Sequence, residues 1–176
     1  MNWVIAVDQS AEKSHDTDAA MGVAVFCDGE LISHGELTPD PETGFTRVRN
    51  HIRNKIKSIY ANDLCPDIWI ATESVYFGFN PAVAAGLIRV QSHIEAVALD
   101  AGCHYSVVTP QESFRSITGL TQYLLNDKGT RKGTRKDAVI KAAIEKYDLP
   151  EDISSHECDA IAIAESVIQR NEKSAV

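Results

Sequence analysis

The chain reads as an α/β protein, a mixed five-stranded sheet covered by helices. Two observations predict this: short β-branched apolar runs that stop at acids, and longer segments whose apolar residues recur every three or four positions. With 176 residues it has the size of one domain, spanning 1–176, able to bury roughly 70% of the surface of its unfolded form.

Trp3 to Val7 is a buried strand ending at Asp8, followed by a polar, turn-forming stretch from Gln9 to Asp18. Gly22 to Phe26 forms a second strand, and Asp28-Gly29 marks a hairpin turn into a third, Leu31 to Leu37. From Thr43 to about Tyr60, Phe45, Val48, Ile52, Ile56 and Ile59 give one face of an amphipathic helix. Pro66 interrupts the chain before the strand Ile68–Ala71, which delivers Thr72 and Glu73. A long helix follows over Asn80–Ala101, with Val83, Leu87, Val90, Ile94, Val97 and Ala98 as its core face and Ala84, Ala85 and Gly86 thinning its surface. Tyr105–Thr109 is the fifth strand, and a short helical piece reaches Ile117. The stretch near 119–135 is a flexible basic loop containing the near-repeat Gly129-Thr130-Arg131-Lys132, Gly133-Thr134-Arg135-Lys136. Helical spacing resumes over Lys136–Tyr147 and again over about His156–Gln169, where Ala160, Ile161, Ile163 and Ala164 form the buried stripe.

The four cysteines are scattered and none forms a C-x-x-C pair, so reduced thiols, the cytoplasm and no zinc ribbon are expected. No uncharged apolar run approaches the roughly 20 residues of a membrane-spanning helix, so no membrane partner is expected. A formal net charge of −8 argues against a nucleic-acid partner when taken as a sum. The distribution argues otherwise. Basic residues collect at Arg47, Arg49, Arg53, Lys55 and Lys57, and again at Lys128, Arg131, Lys132, Arg135, Lys136 and Lys141. The plainer reading of such a run is a solvated face, and it weighs more on the first run than on the second.

An ionised acid at the end of a buried strand costs several kcal/mol unless it is paired or binds a cation. This chain has two, Asp8 and Glu73. If their strands are neighbours, about 4.8 Å apart, both reach one metal. His156 and Asp159, three residues apart at the start of the last helix, share a face that closes the site. Oxygen ligands with an imidazole suit Mg²⁺ or Mn²⁺, and two such ions roughly 3.5–4 Å apart support in-line phosphodiester hydrolysis. Each residue alone has a plainer reading, as a turn, a cap or a surface group. Their joint placement directs the reading toward metal.

These residues resemble those of the RuvC-type Holliday junction resolvases, within the ribonuclease H-like superfamily, over nearly the whole chain. The likeness rests on Val4-Ile5-Ala6-Val7-Asp8-Gln9-Ser10 with Met21-Gly22-Val23-Ala24-Val25, on Ile70-Ala71-Thr72-Glu73-Ser74-Val75-Tyr76-Phe77, on Gly133-Thr134-Arg135-Lys136-Asp137-Ala138-Val139, and on His156-Glu157-Cys158-Asp159-Ala160-Ile161-Ala162-Ile163-Ala164.

The resemblance implies a ribonuclease H-like fold with Asp8, Glu73, His156 and Asp159 as catalytic metal ligands for Mg²⁺ or Mn²⁺. It makes Lys136 the catalytic basic group near the scissile phosphate or leaving oxygen, Tyr76 the aromatic stacking at the junction centre, and Arg115 a further DNA contact. With Arg131, Lys132, Arg135 and Lys136 these form the DNA-binding set. A homodimer, paired through the Asn80–Ala101 helix, would place two symmetric nicks in a four-way junction. Gln9-Ser10-Ala11 replaces the family's common Pro-Gly-Ser, and Leu120–Lys132 resembles an insertion, features more like phage-borne or divergent members. The alternatives are a flap, fork or RNA–DNA hybrid nuclease on the same fold, or a non-catalytic junction-binding protein.

Overall fold

A computed structural model describes residues 1–9, 20–38, 45–75, 81–120 and 135–174. Five strands, β1 (Asn2–Asp8), β2 (Met21–Cys27), β3 (Glu30–Leu37), β4 (Asp67–Glu73) and β5 (His104–Val108), form one sheet in the order β3-β2-β1-β4-β5. β1 to β3 run as an antiparallel meander, and β4 and β5 lie parallel to β1. The turn at Asp28-Gly29 places both residues at positive φ, 47° and 85°, the geometry a tight hairpin of right-handed twist requires. The helices are α1 (Thr46–Asn62), α2 (Pro81–Asp100), α3 (Pro110–Thr118), α4 (Arg135–Tyr147) and α5 (Ser155–Ser174).

Alternation along each strand divides the interior into two cores. Ile5, Val7, Met21, Val23, Val25, Ile68 and Ile70 face one side, where they meet Val48, Ile52, Ile56 and Ile59 of α1 and Val90, Ile94 and Val97 of α2. Val4, Ala6, Ala24, Phe26 and Ala71 face the other, packed on Phe114 and Ile117 of α3, Val139 and Ala143 of α4, and the body of α5. The central strands are therefore apolar throughout, whereas the edge strand β3 alternates between more and less exposed positions.

α3 begins with a reciprocal capping box: Thr109 accepts from the Glu112 amide while Glu112 accepts from the Thr109 amide. Gly119, at φ 69°, ends it in the left-handed conformation. α4 is tied to α5 by Glu165, 4% exposed, which accepts from Lys146 Nζ at 2.6 Å and from the Tyr147 hydroxyl.

Two expectations need correction. α5 is buried on every side from Ala160 to Val167, not along one stripe, because it lies between the sheet and α3 and α4; its alanines allow that close packing. In α2 the inward face includes Ala84 and leaves Val83 45% exposed. α2 is also long and apolar enough to cross a membrane by length and composition, with a mean hydropathy of 1.2. It nevertheless carries Arg89, His93 and Glu95 and commits one face to the sheet. The basic loop falls largely in 121–134, outside the described residues.

Candidate metal and DNA site

Asp8 and Glu73 follow from strand parity. Ala6 and Ala71 face α5, so the residues two further on, Asp8 and Glu73, emerge on the same face at the carboxyl ends of adjacent parallel strands. The ladder pairs Val7 with Thr72, which makes Asp8 and Glu73 the next rung. Thr72, on the opposite face, is buried and hydrogen-bonded to the Tyr105 hydroxyl at 2.7 Å. Gln9 continues past the ladder and donates from Nε2 to the Glu73 carbonyl at 2.7 Å, a side-chain rung between the two strand ends.

Across the sheet, Asp8 pairs with Gly22 and Gly22 with Glu36. The missing side chain at Gly22 lets the main chain of His156 and Glu157 settle directly on the strand. That docking delivers the first turn of α5 to the acids. His156 Nδ1 donates to Asp8 Oδ2 at 2.7 Å, and Glu157 is anchored beside it by His34 Nδ1 at 2.6 Å and by the Ser154 amide. His156 and Asp159, one turn apart, face the site together.

The electrostatics are those of a crowded acidic site. Burial pushes the Asp159 carboxyl up to about 6, with the nearby Asp8 and Glu73 charges adding to it and Lys136 and His156 opposing. Burial also raises Glu73; the Ser113 hydrogen bond and the Arg135 charge pull back, and Asp8 pushes further up. The hydrogen bond to Asp8 holds His156 above its ordinary value against burial and Lys136, with Glu36 adding slightly. Lys136, exposed at the start of α4, thus faces Asp159 and His156.

Arg135 is placed differently from its neighbour. It donates to the Pro110 carbonyl and to Ser113 Oγ at 3.1 Å, lies 3.6 Å from Glu73 Oε1, and has its guanidinium over the Phe114 ring at 5.8 Å. Ser113 in turn donates to Glu73 Oε1 at 2.8 Å. Arg115 is exposed, about 200° around α3 from Ser113, and so turned away from Glu73. Tyr76, Arg131 and Lys132 lie outside the described residues. The first basic run belongs to α1, on the opposite face of the sheet, where Arg53 pairs with Asp100 at 3.4 Å and Lys55 reaches Ser33 at 3.4 Å.

Among the described residues no group of three or more His, Cys, Asp or Glu side chains is already placed to hold a metal ion, so the fit is one of donor chemistry. The donor set still fits a hard divalent cation. Asp8 and Glu73 end adjacent parallel strands and His156 bonds Asp8, and the raised Asp159 and Glu73 carboxyls reflect burial first and neighbouring acids second. Sequence reasoning named Asp8, Glu73, His156, Asp159 and Lys136 as candidates. It missed Ser113, Gln9 and Glu36, which carry no motif, and the reason for Gly22, whose signal was a glycine inside an otherwise β-branched strand.

The sheet order and helix placement define a ribonuclease H-like fold, and solved structures of that fold resemble the whole chain. No protein-family model and no curated protein sequence matches it. The T. thermophilus RuvC in complex with a Holliday junction substrate superposes with a TM-score of 0.67 at 14% identity, covering 98% of this chain and 96% of that one. A second Thermus thermophilus RuvC structure gives 0.65 at 16% identity, over 97% and 96%. YeaZ from Pseudomonas aeruginosa covers 98% of this chain and 94% of its own at a TM-score of 0.50 and 15% identity. The fold is thus that of the RuvC resolvase structures, and activity has to be argued from the site.

Proposed function

We propose that this protein is a divalent-metal-dependent endonuclease that nicks branched DNA, with four-way junctions as its principal substrate and paired symmetric cuts as its outcome. The observation that carries this reading is that Asp8 and Glu73 end adjacent parallel strands on one face, with His156, at the start of α5, hydrogen-bonded to Asp8. The likeness to RuvC structures over nearly the full length supports it.

Asp8, Glu73, His156 and Asp159 would hold Mg²⁺ or Mn²⁺, which when bound supplies an activated water and charge stabilisation for phosphodiester hydrolysis. The protein's own part is positional and electrostatic. His156 fixes one oxygen of Asp8, and Ser113 fixes one oxygen of Glu73, so neither carboxylate rotates freely. The Lys136 ammonium stabilises charge growing on the phosphate and leaving oxygen. Tyr76, Arg115, Arg131, Lys132, Arg135 and Lys136 form the proposed DNA-contacting set, reading branch shape through phosphates and a stacked base. A homodimer through the outward face of α2, where Ile88 is 38% and Leu99 65% exposed, would supply the second active site of a cytoplasmic resolvase.

The test of substrate is cleavage of a labelled four-way junction against a flap, a fork, a linear duplex and an RNA–DNA hybrid. Preferential cutting of the junction supports the proposal. Cutting of only the flap, fork or hybrid reassigns the substrate, and binding without cutting in any metal leaves a junction-binding protein.

A further inference from the structure

Arg135 has too many protein partners for a simple phosphate contact. Its guanidinium meets Pro110 O, Ser113 Oγ and Glu73 Oε1, and lies over Phe114. Ser113 is 4% exposed, and its hydroxyl lies 2.8 Å from Glu73 Oε1 and 3.1 Å from Pro110 O. A hydroxyl has one proton to donate, so these two acceptors compete for it. Arg135 resolves the competition. By donating to Pro110 O it satisfies that carbonyl, and by donating to Ser113 Oγ it occupies a serine lone pair, which directs the serine proton to Glu73.

We propose that Arg135 and Ser113 are positioning residues for Glu73, acting as a directed hydrogen-bond chain from Arg135 through Ser113 to the carboxylate. The inference rests on the metal reading above and gives Arg135 a role distinct from the DNA contact proposed there. The chain joins three elements that are remote in sequence: the end of β4, the first turn of α3 and the first residue of α4. Charge-assisted bonds of this kind orient a ligand and fix which of its oxygens faces a cation.

Arg135→Lys separates this role from phosphate binding. Ser113→Ala removes the middle of the chain. Arg135→Lys keeps the positive charge, and so both the long-range repulsion of a cation and a point contact to phosphate, but loses the fork that reaches several partners. Mn²⁺ binding to the full chain, without DNA, is measured by electron paramagnetic resonance, and junction binding is measured in EDTA. Each substitution is expected to weaken Mn²⁺ binding by about tenfold, with the double variant no weaker than either single one and junction binding in EDTA unchanged in Ser113→Ala. Unchanged Mn²⁺ affinity in Arg135→Lys overturns the chain, as does a double variant whose losses add. If Ser113→Ala fails to fold, Arg135→Lys alone decides. A wild-type protein that binds no Mn²⁺ refutes the metal reading instead. The chain is then decided by the carboxyl ¹³C resonance of Glu73 in metal-free protein, which must move in both variants; a resonance unmoved by Arg135→Lys overturns it.

Discussion

A Cβ on Gly22 would fall 1.8 Å from the main-chain oxygen of His156 and 2.2 Å from its carbonyl carbon. Neither atom is the end of a flexible side chain, so α5 would have to lift from β2. Gly22 also lies directly opposite Asp8, so the glycine sets the distance between Asp8 and the helix that brings His156 and Asp159. Gly22→Ala is expected to destabilise the protein by about 1–3 kcal/mol, the range of overpacked cores, and to abolish Mn²⁺ binding even where the protein remains folded. Urea unfolding and metal titration of the same preparation check both effects.

The acids of the site make metal-free stability depend on pH in an unusual direction. Burial holds Asp159 up to about 6 against an ordinary 3.8, and raises Glu73 as well, so the folded state binds these protons more tightly than the unfolded chain. Stability in EDTA therefore rises as the pH falls from about 7 toward 5. His156 acts in the same sense: its contribution is complete below its unfolded value of 6.5 and is lost as the pH rises through the higher folded value. The depressed carboxyls of Glu112 and Glu157 oppose this only lower, as the pH falls through their folded values below about 4.5, whereas His51, lowered by burial and by Lys55 and Arg47, offsets part of it as the pH falls below 6.5. The Asp159 part amounts to at most about 3 kcal/mol. Asp159→Asn should flatten most of the dependence, and urea midpoints at several pH values in EDTA measure it; a wild-type midpoint that climbs from pH 5.5 to 7.5 contradicts the account.

Lys136→Ala should separate chemistry from binding. The ammonium bears on Asp159 and His156 in the free protein and, in the proposed function, on charge that grows during cleavage. Single-turnover cleavage is expected to fall about a hundredfold or more, while junction affinity at fixed salt changes by less than tenfold. An equal loss in both would make Lys136 a binding residue alone.

Lys146→Met tests the packing of α4 on α5. Glu165 is buried and takes hydrogen bonds from Lys146 and Tyr147; losing the lysine leaves the carboxylate short of a charged donor. A loss of about 1–3 kcal/mol in urea unfolding is expected, with Mn²⁺ affinity unchanged.

Much of this architecture was legible because it follows from local periodicity. The apolar run before Asp8, the Asp28-Gly29 turn, and the spacing of Val48, Ile52, Ile56 and Ile59 each specify an element without reference to the rest of the chain. Strand parity then puts Asp8 and Glu73 on one face. What was not legible depends on docking between distant elements. Nothing around Ser113 signals that its hydroxyl meets Glu73, because that contact exists only once α3 packs beside β4. Arg135 and Lys136 are adjacent and alike in charge, so the sequence assigned both to DNA. The fold turns one toward Glu73 and leaves the other exposed. The all-round burial of α5 was likewise hidden, since its alanines read equally well as a thin surface or a crowded interior.

In the proposed function, Asp8 and its partners make a metal-dependent active site for branched DNA. The most direct measurement is strand mapping of a synthetic four-way junction after incubation with wild type or Asp8→Asn, in Mg²⁺, Mn²⁺ or EDTA. The account predicts paired nicks at symmetric positions on opposing strands in wild type with metal, and none with EDTA or with Asp8→Asn. Nicking that survives either EDTA or the substitution would contradict it.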